Sequence, residues 1–305
     1  MAGTQPHRVK TISEFHQLRG LPKPEHPLIS VINLDLVKQF PPHQTSFVWD
    51  FYFIALKKNF DGKMRYGQQA YDFDEGMLFF MSPGQVFRIE STGSLPQKQS
   101  GWMLLVHPDF LWNTPLSTKI KQYEYFDYSV HEALFLSERE QEIANGIIHN
   151  IEQEYRANID RFSQDIIIAQ LETLLSYSER FYQRQFVTRK ISNHDILNRL
   201  EVILSTYFNS KELINQGLPS VGYVAESLNV SPGYLTGMLK ILTGQNKQQH
   251  IHNKLMEKAK ERLSTTNLSV AEIAYELGFE HSQSFSKLFK TKTKQSPLEF
   301  RQMFN

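Results

Sequence analysis

A chain of 305 residues is long enough for about two domains, and 40% hydrophobic residues with 12% aromatic ones supply packed cores for both. Lysine and arginine number 33 against 32 acidic residues, a formal net charge of +1, so total charge makes no case for nucleic acid. The absence of cysteine excludes a disulfide framework, a thiol redox sensor, a cysteine-ligated zinc site and a methyl-accepting DNA-repair thiol, and it fits a reducing cytoplasm.

The opening residues, MAGTQPHRVK, lack the apolar stretch of a signal peptide. No segment approaches the roughly eighteen consecutive apolar residues of a membrane span, so a soluble cytoplasmic protein with no membrane partner is expected. From residue 28 to about 130 short apolar or alternating runs alternate with turn signals. The runs are Phe47 to Leu56, Met77 to Met81, Val86 to Ile89 and Trp102 to His107. Asp61-Gly62, Glu75-Gly76 and Ser82-Pro83-Gly84 punctuate them, which predicts a small antiparallel β sandwich or barrel. An open barrel mouth could bind a small-molecule effector, with Trp49, Phe51, Tyr66, Tyr71, Phe87, Arg88 and Trp102 as candidate lining residues. The alternative for the aromatic residues is core filling. Arg88, set among Val86, Phe87 and Ile89, requires solvent or an anionic partner.

Two helices follow. Ser137 and Glu140 have the form of a capping box, opening a helix with Ile143, Ile147, Ile151 and Tyr155 on one stripe. The second runs from about Ser163 to Tyr182, with Ile167, Leu171, Leu174 or Leu175, Ser178 and Phe181 or Tyr182 inward. The sequence of both permits packing on their own β domain. The polar, basic stretch Arg184 to Asn193 reads as a junction, giving domains 1–183 and 195–305 with a linker at 184–194. Ile196, Leu200, Ile203 and Leu204 mark the helix beyond it.

Ser220 to Thr243 reads SVGYVAESLNVSPGYLTGMLKILT: a short helix with Val224, Ala225 and Leu228 inward, a turn at Asn229, and a second helix. Ser231 and Pro232 start that second helix as N-cap and first residue, and Leu235, Met238, Leu239 and Leu242 form its buried stripe. Gln248 to Leu263 then carries Ile251, Leu255, Ala259 and Leu263 at four-residue spacing without glycine or proline. A helix of about nineteen residues around this stretch spans roughly 28 Å. That approaches one turn of DNA, about 34 Å, so one monomer could set two reading helices into successive major-groove segments. Ser269 to Arg301 repeats the theme. Ile273, Ala274 and Leu277 face inward, Gly278 supplies a left-handed residue, Phe279 plugs the core, and Phe285, Leu288 and Phe289 line the second helix. Ser282, Gln283, Ser284, Ser286, Lys287 and Lys290 are left for solvent or DNA. Lys287, Lys290, Lys292, Lys294 and Arg301 crowd this end of the chain against Glu299, a distribution that supplies salt-dependent DNA affinity. A solvated helical hairpin is the alternative for either unit alone, and the second copy argues against it.

From about Asp195 onward the chain closely resembles the DNA-binding domain of AraC/XylS-type transcriptional regulators. The resemblance lies in Ile273-Ala274, Gly278-Phe279, Phe285-Ser286-Lys287-Leu288-Phe289-Lys290 and Ser296-Pro297-Leu298-Glu299-Phe300-Arg301, preceded by the unit VSPGYLTGMLKILTG. It implies DNA-facing roles for Gly233, Thr236, Gly237, Lys240, Ser282, Gln283, Ser284, Lys287 and Lys290; Lys294 is added on charge alone. The residues before Asp195 resemble the family's cupin-like sensor domain through Gly76, the Pro83-Gly84 turn and the strand from Gly101-Trp102 to His107-Pro108.

Two departures matter. Lys294 stands where the family usually has glycine, which puts that turn in question. Gly233, Thr236 and Gly237 stand where long base-reading side chains are common, and each glycine costs about 1 kcal/mol of helix stability relative to alanine. Such a face suits backbone or close phosphate contact, so base discrimination is expected to rest mainly on the second unit.

The expectation is an α+β chain of two domains: an N-terminal antiparallel β cupin-like barrel with trailing dimerisation helices, and a C-terminal all-α double helix-turn-helix. Its expected function is sequence-specific transcription regulation under a small-molecule effector. The expected partners are double-stranded DNA, a second copy and, for an activator, RNA polymerase, with no cofactor or metal. The competing class is a cupin-type metal-dependent enzyme with a DNA-binding tail. It lacks the His-x-His strand pair of cupin enzymes, since His43, His107 and His131 are scattered and His250 and His252 fall on different faces of a helix. A third reading, a protein-interaction module that has lost DNA reading, leans on Gly233 and Gly237 alone.

Overall fold

The N-terminal unit is built around a five-stranded antiparallel sheet whose two faces are both covered. In this computed structural model the chain divides into two units, 1–185 and 186–305. The structure describes residues 6–38, 46–58, 65–66, 69–70, 76–88, 100–128, 132–157, 160–188, 190–210 and 212–304. Unit 1 runs through β1 (His7–Val9), α1 (Ile12–Leu18), β2 (Ile29–Asn33), β3 (Ser46–Trp49), β4 (Tyr52–Lys58), β5 (Arg65–Tyr66), β6 (Gln69–Ala70), β7 (Gly76–Met81), β8 (Val86–Arg88) and β9 (Ser100–Val106). It continues through the one-turn helix α2 (Leu116–Lys119), β10 (Leu134–Leu136), α3 (Glu138–Arg156) and α4 (Ser163–Thr188). The large sheet has the order β10-β7-β4-β9-β2; a smaller one has β1-β3-β8, and β5 pairs with β6.

Side-chain alternation divides the large sheet into two faces. Phe53 and Ala55 of β4, Met77, Phe79 and Met81 of β7, and Met103 and Leu105 of β9 join Phe15, Phe47, Trp49 and Phe51 in one aromatic-rich core. The alternate residues face helices. Trp102 donates its indole N–H to Asn145 of α3 at 2.8 Å. Phe80 packs on Tyr125, Phe126 and Tyr182. Gln185 of α4 is buried against the edge strand β10, accepting the Phe135 N–H at 2.8 Å and donating to the Ala133 carbonyl at 3.2 Å.

The run Phe47 to Leu56 is two strands, not one. The chain bends at Asp50-Phe51, where Asp50 accepts Arg8 Nε at 2.9 Å, and β3 and β4 enter different sheets. The capping box is present, with Ser137 accepting the Glu140 N–H and Glu140 accepting the Ser137 N–H. The second helix continues past Tyr182 to Thr188, and the stretch expected as a linker is helical at its described residues.

Unit 2 is helical: α5 (Lys190–Phe208), α6 (Glu212–Gln216), α7 (Val221–Leu228), α8 (Pro232–Thr243), α9 (Lys247–Thr265), α10 (Val270–Glu276), α11 (Ser282–Thr293) and α12 (Pro297–Arg301). Helix α9 packs against α5, α8, α10 and α12, burying Ile251, Leu255, Met256, Ala259 and Leu263. Phe186 is buried in this unit, its ring 5.0 Å from that of Tyr234 on α8. Among the described residues no helix is long and apolar enough to cross a membrane.

Candidate nucleic-acid interface

Both reading units are fixed by caps written in the sequence. Ser220 accepts the Tyr223 N–H to start α7, and Asn229, at φ 59°, ends it in the left-handed region. Ser231 accepts the Tyr234 N–H at 3.2 Å, and Pro232 opens α8 where its missing N–H costs nothing. The second unit starts with a capping box between Ser269 and Glu272. Its bonds to Ser269 hold the Glu272 carboxyl below the usual range. Gly278 follows at φ 79°.

The two units differ at the head of the reading helix. Helix α11 begins after His281, whose side chain makes no capping bond, so its first N–H groups are not closed off by a side chain as those of α8 are.

Inward faces are apolar. Leu235, Met238 and Leu239 of α8 are buried, as are Phe285 and Phe289 of α11, while Leu242 and Leu288 are half-buried. Phe279, also half-buried, packs its ring 5.5 Å from that of Phe285 at a tilt of 60°. The outward faces contrast. On α11 Gln283, Ser284, Lys287 and Lys290 are exposed and Ser282 is half-buried. On α8 only Lys240 combines reach with exposure, since Gly233, Thr236 and Gly237 are half-buried and Thr236 donates its hydroxyl to the Pro232 carbonyl at 2.7 Å. Lys294 is exposed and stands at φ 67°, so the turn keeps the left-handed geometry that glycine adopts freely.

Arg301 departs from its place in the expected basic cluster. It is half-buried and donates Nε to the Leu263 carbonyl at 3.3 Å, closing the end of α9. One of its guanidinium donors is thereby committed to a helix terminus. The sequence pattern also missed Arg199, which reaches the Leu228 carbonyl at 3.4 Å, and Tyr207, which donates to the Gly217 carbonyl at 3.0 Å. Both brace the first unit from α5, and neither belongs to a local periodicity.

The effector candidates do not share one wall. Trp49 and Phe51 are buried in the core and half-buried Phe87 packs on them, its ring 6.4 Å from Trp49. Trp102 lies on the opposite face of the sheet, against Asn145. Tyr71 lies outside the described residues, as do the side chains of Tyr66 and Arg88. Of the histidines weighed as metal ligands, His43 and His131 lie outside the described residues, and His107 accepts the Asp109 N–H at 3.2 Å. His250 and His252 are both lowered, chiefly by burial.

A helix-turn-helix domain family matches residues 224–303. An HTH-type transcriptional regulator in the cgkA 5′ region of Pseudoalteromonas carrageenovora is 34% identical over 116 residues, covering 38% of this chain and 64% of that protein. The HTH-type transcriptional activator RhaS of Escherichia coli O81 is 26% identical over 270 residues, covering 86% of this chain and 88% of that one. The chain spans 64%, 43%, 47% and 29% of the lengths of the first four curated relatives it matches. A solved C-terminal domain of the response regulator yesN from Fusobacterium nucleatum is 30% identical, with 35% of this chain and 98% of that one covered and a TM-score of 0.31. The Ile-Ala and Phe-x-x-x-Phe-Lys positions lie inside the matched segment on α10 and α11, with Gly-Phe in the turn between them. The C-terminal unit therefore contains a helix-turn-helix domain of the AraC type, and it is over this part that the chain is similar to HTH-type transcription regulators.

Proposed function

We propose that the chain is a one-component transcription regulator, acting in the cytoplasm, whose C-terminal unit binds double-stranded DNA and whose N-terminal unit answers a small molecule. The observation that carries this reading is α11. Its Phe285 and Phe289 are fully buried while Gln283, Ser284 and Lys287 stand exposed on the other side, the division a helix needs to read base edges from a folded support. Gln283 suits adenine and Lys287 suits guanine in the major groove. Lys240, Lys290 and Lys294 are exposed cations that position the domain on phosphates.

The regulatory half of the proposal rests on unit 1. An effector would meet the Trp49, Phe51 and Phe87 side of the β unit, and would act only by binding one state of the protein better than the other. A second copy would pair through the helices after the barrel-like β unit. Ile166 on α4 and Phe162 just before it are exposed apolar residues that support this. RNA polymerase is the further partner of an activator.

Selection of binding sites from random duplexes with the full chain tests the reading. The wild type is expected to enrich a two-part site, and Gln283→Ala and Lys287→Ala to relax base preference in one part only. Unchanged preference in both variants would overturn the role of α11, and no enrichment by the wild type would overturn DNA reading itself.

A further inference from the structure

The two reading helices are in register. Adding fifty to each residue number of α8 gives its counterpart in α11, from Pro232 and Ser282 to Thr243 and Thr293. Both helices end on a left-handed residue, Gly244 at φ 69° and Lys294 at φ 67°. In both, the last threonine donates to the carbonyl four residues back and accepts the N–H two residues on.

This alignment places Gly233 where Gln283 stands and Gly237 where Lys287 stands. Bare backbone in the first reader thus replaces the two long polar side chains of the second. Between the glycines, the Thr236 hydroxyl spends its donor on the Pro232 carbonyl at 2.7 Å, so a methyl is the main group it adds to the face. The result is a shallow apolar floor with Lys240 at its rim.

In the major groove thymine alone presents a methyl group, and side-chain methyls discriminate for it by apolar contact. Two glycines without Cβ atoms let the backbone beside the Thr236 methyl approach closely enough to remove water from the thymine methyl. Cytosine or adenine pressed on the same floor would lose the hydration of an amino group, a buried donor left unmade. We propose that the first reader selects thymines by receiving their C5-methyl groups against Gly233, Thr236 and Gly237. The proposal rests on the DNA-binding reading above and adds the base class that α8 takes.

The test uses the full chain on a duplex obtained by site selection. The part of the site whose base preference loosens in Gln283→Ala belongs to α11, and the other part to α8. Each thymine is replaced by deoxyuridine, which deletes only the methyl, and affinity is measured at fixed salt. In the α8 part each contacted thymine should cost about fourfold on replacement, the equivalent of one methyl-sized group buried. Thr236→Ser, which keeps the hydroxyl and deletes the methyl, should weaken binding to the thymine duplex and shrink the deoxyuridine penalty. Thr236→Val, which keeps the methyl and deletes the hydroxyl, should preserve that penalty. Tolerance of deoxyuridine throughout the α8 part, or the same penalty in Thr236→Ser as in the wild type, overturns the proposal. Failure to select any duplex would overturn the DNA-binding reading as well, and is distinguished by the missing site.

Discussion

Gly217 and Gly278 meet backbone to backbone: a β-carbon on Gly278 would stand 3.0 Å from the Gly217 α-carbon and 2.5 Å from the Leu213 carbonyl oxygen. Both glycines have positive φ, 73° and 79°. The loop after α6 therefore seats directly on the turn of the second reader, held from behind by Tyr207 on the Gly217 carbonyl. Gly278→Ala should destabilise unit 2 by roughly 2–4 kcal/mol, combining left-handed strain with a backbone collision that no side chain can relieve. Calorimetry of the full chain checks this: the transition of unit 2 should fall while that of unit 1 stays in place.

Lys294 holds the left-handed position that Gly244 fills in the first reader. Lys294→Gly should therefore raise stability by about 0.5–1 kcal/mol, because glycine adopts this conformation without strain and loses only part of the gain to chain entropy. The same variant removes a proposed phosphate contact. Its DNA affinity should depend less steeply on salt, by up to about one unit of slope, which titrations across a salt series would measure.

Gln185 serves β10 as a neighbouring strand would, taking the Phe135 N–H and giving to the Ala133 carbonyl. Gln185→Leu leaves both backbone groups without this partner in a buried setting, at a cost of roughly 2–4 kcal/mol. Denaturant unfolding should show a lower midpoint for unit 1, and hydrogen exchange at Phe135 should quicken.

Lys57 lies on the inward side of β4 with its ammonium 5.0 Å from the centre of the Phe79 ring. Burial, then the nearby charge of Arg19, pushes it from 10.5 down to about 8. The unfolded chain therefore binds more protons between pH 8 and 10.5, and folding stability from this group rises with pH through that window. Below pH 8 the full penalty of the charged form applies, on the order of 2 kcal/mol after solvent screening. Lys57→Met should flatten the rise, as thermal unfolding of both proteins from pH 7 to 10 would show.

Unit 2 was legible because its signals are local. Ser231-Pro232, Asn229 and the spacing of Phe285 and Phe289 each specify a cap, a turn or a face within a few residues. Unit 1 was less legible. Its strands read as apolar runs, but Asp50, where the first run bends, has its partner Arg8 forty-two residues away. The end of α4 was hidden for a related reason. Arg184 and Gln185 look like linker residues, yet Arg184 binds Glu140 and the Phe135 carbonyl, and Gln185 is buried against β10. At the candidate interface the polar stripe of α11 followed from periodicity, whereas the engagement of Arg301 with Leu263 depends on how α12 packs on α9.

The shared numbering of α8 and α11 has a consequence for how such a reader changes over time. Framework and outer stripe occupy different positions of the same twelve-residue helix, so recognition can drift without unseating the support. Transplanting Gln283 and Lys287 onto positions 233 and 237 would even exchange glycines for better helix formers. Positions 233 and 237 thus mark where one substitution each would add a long side chain to the outer stripe of α8.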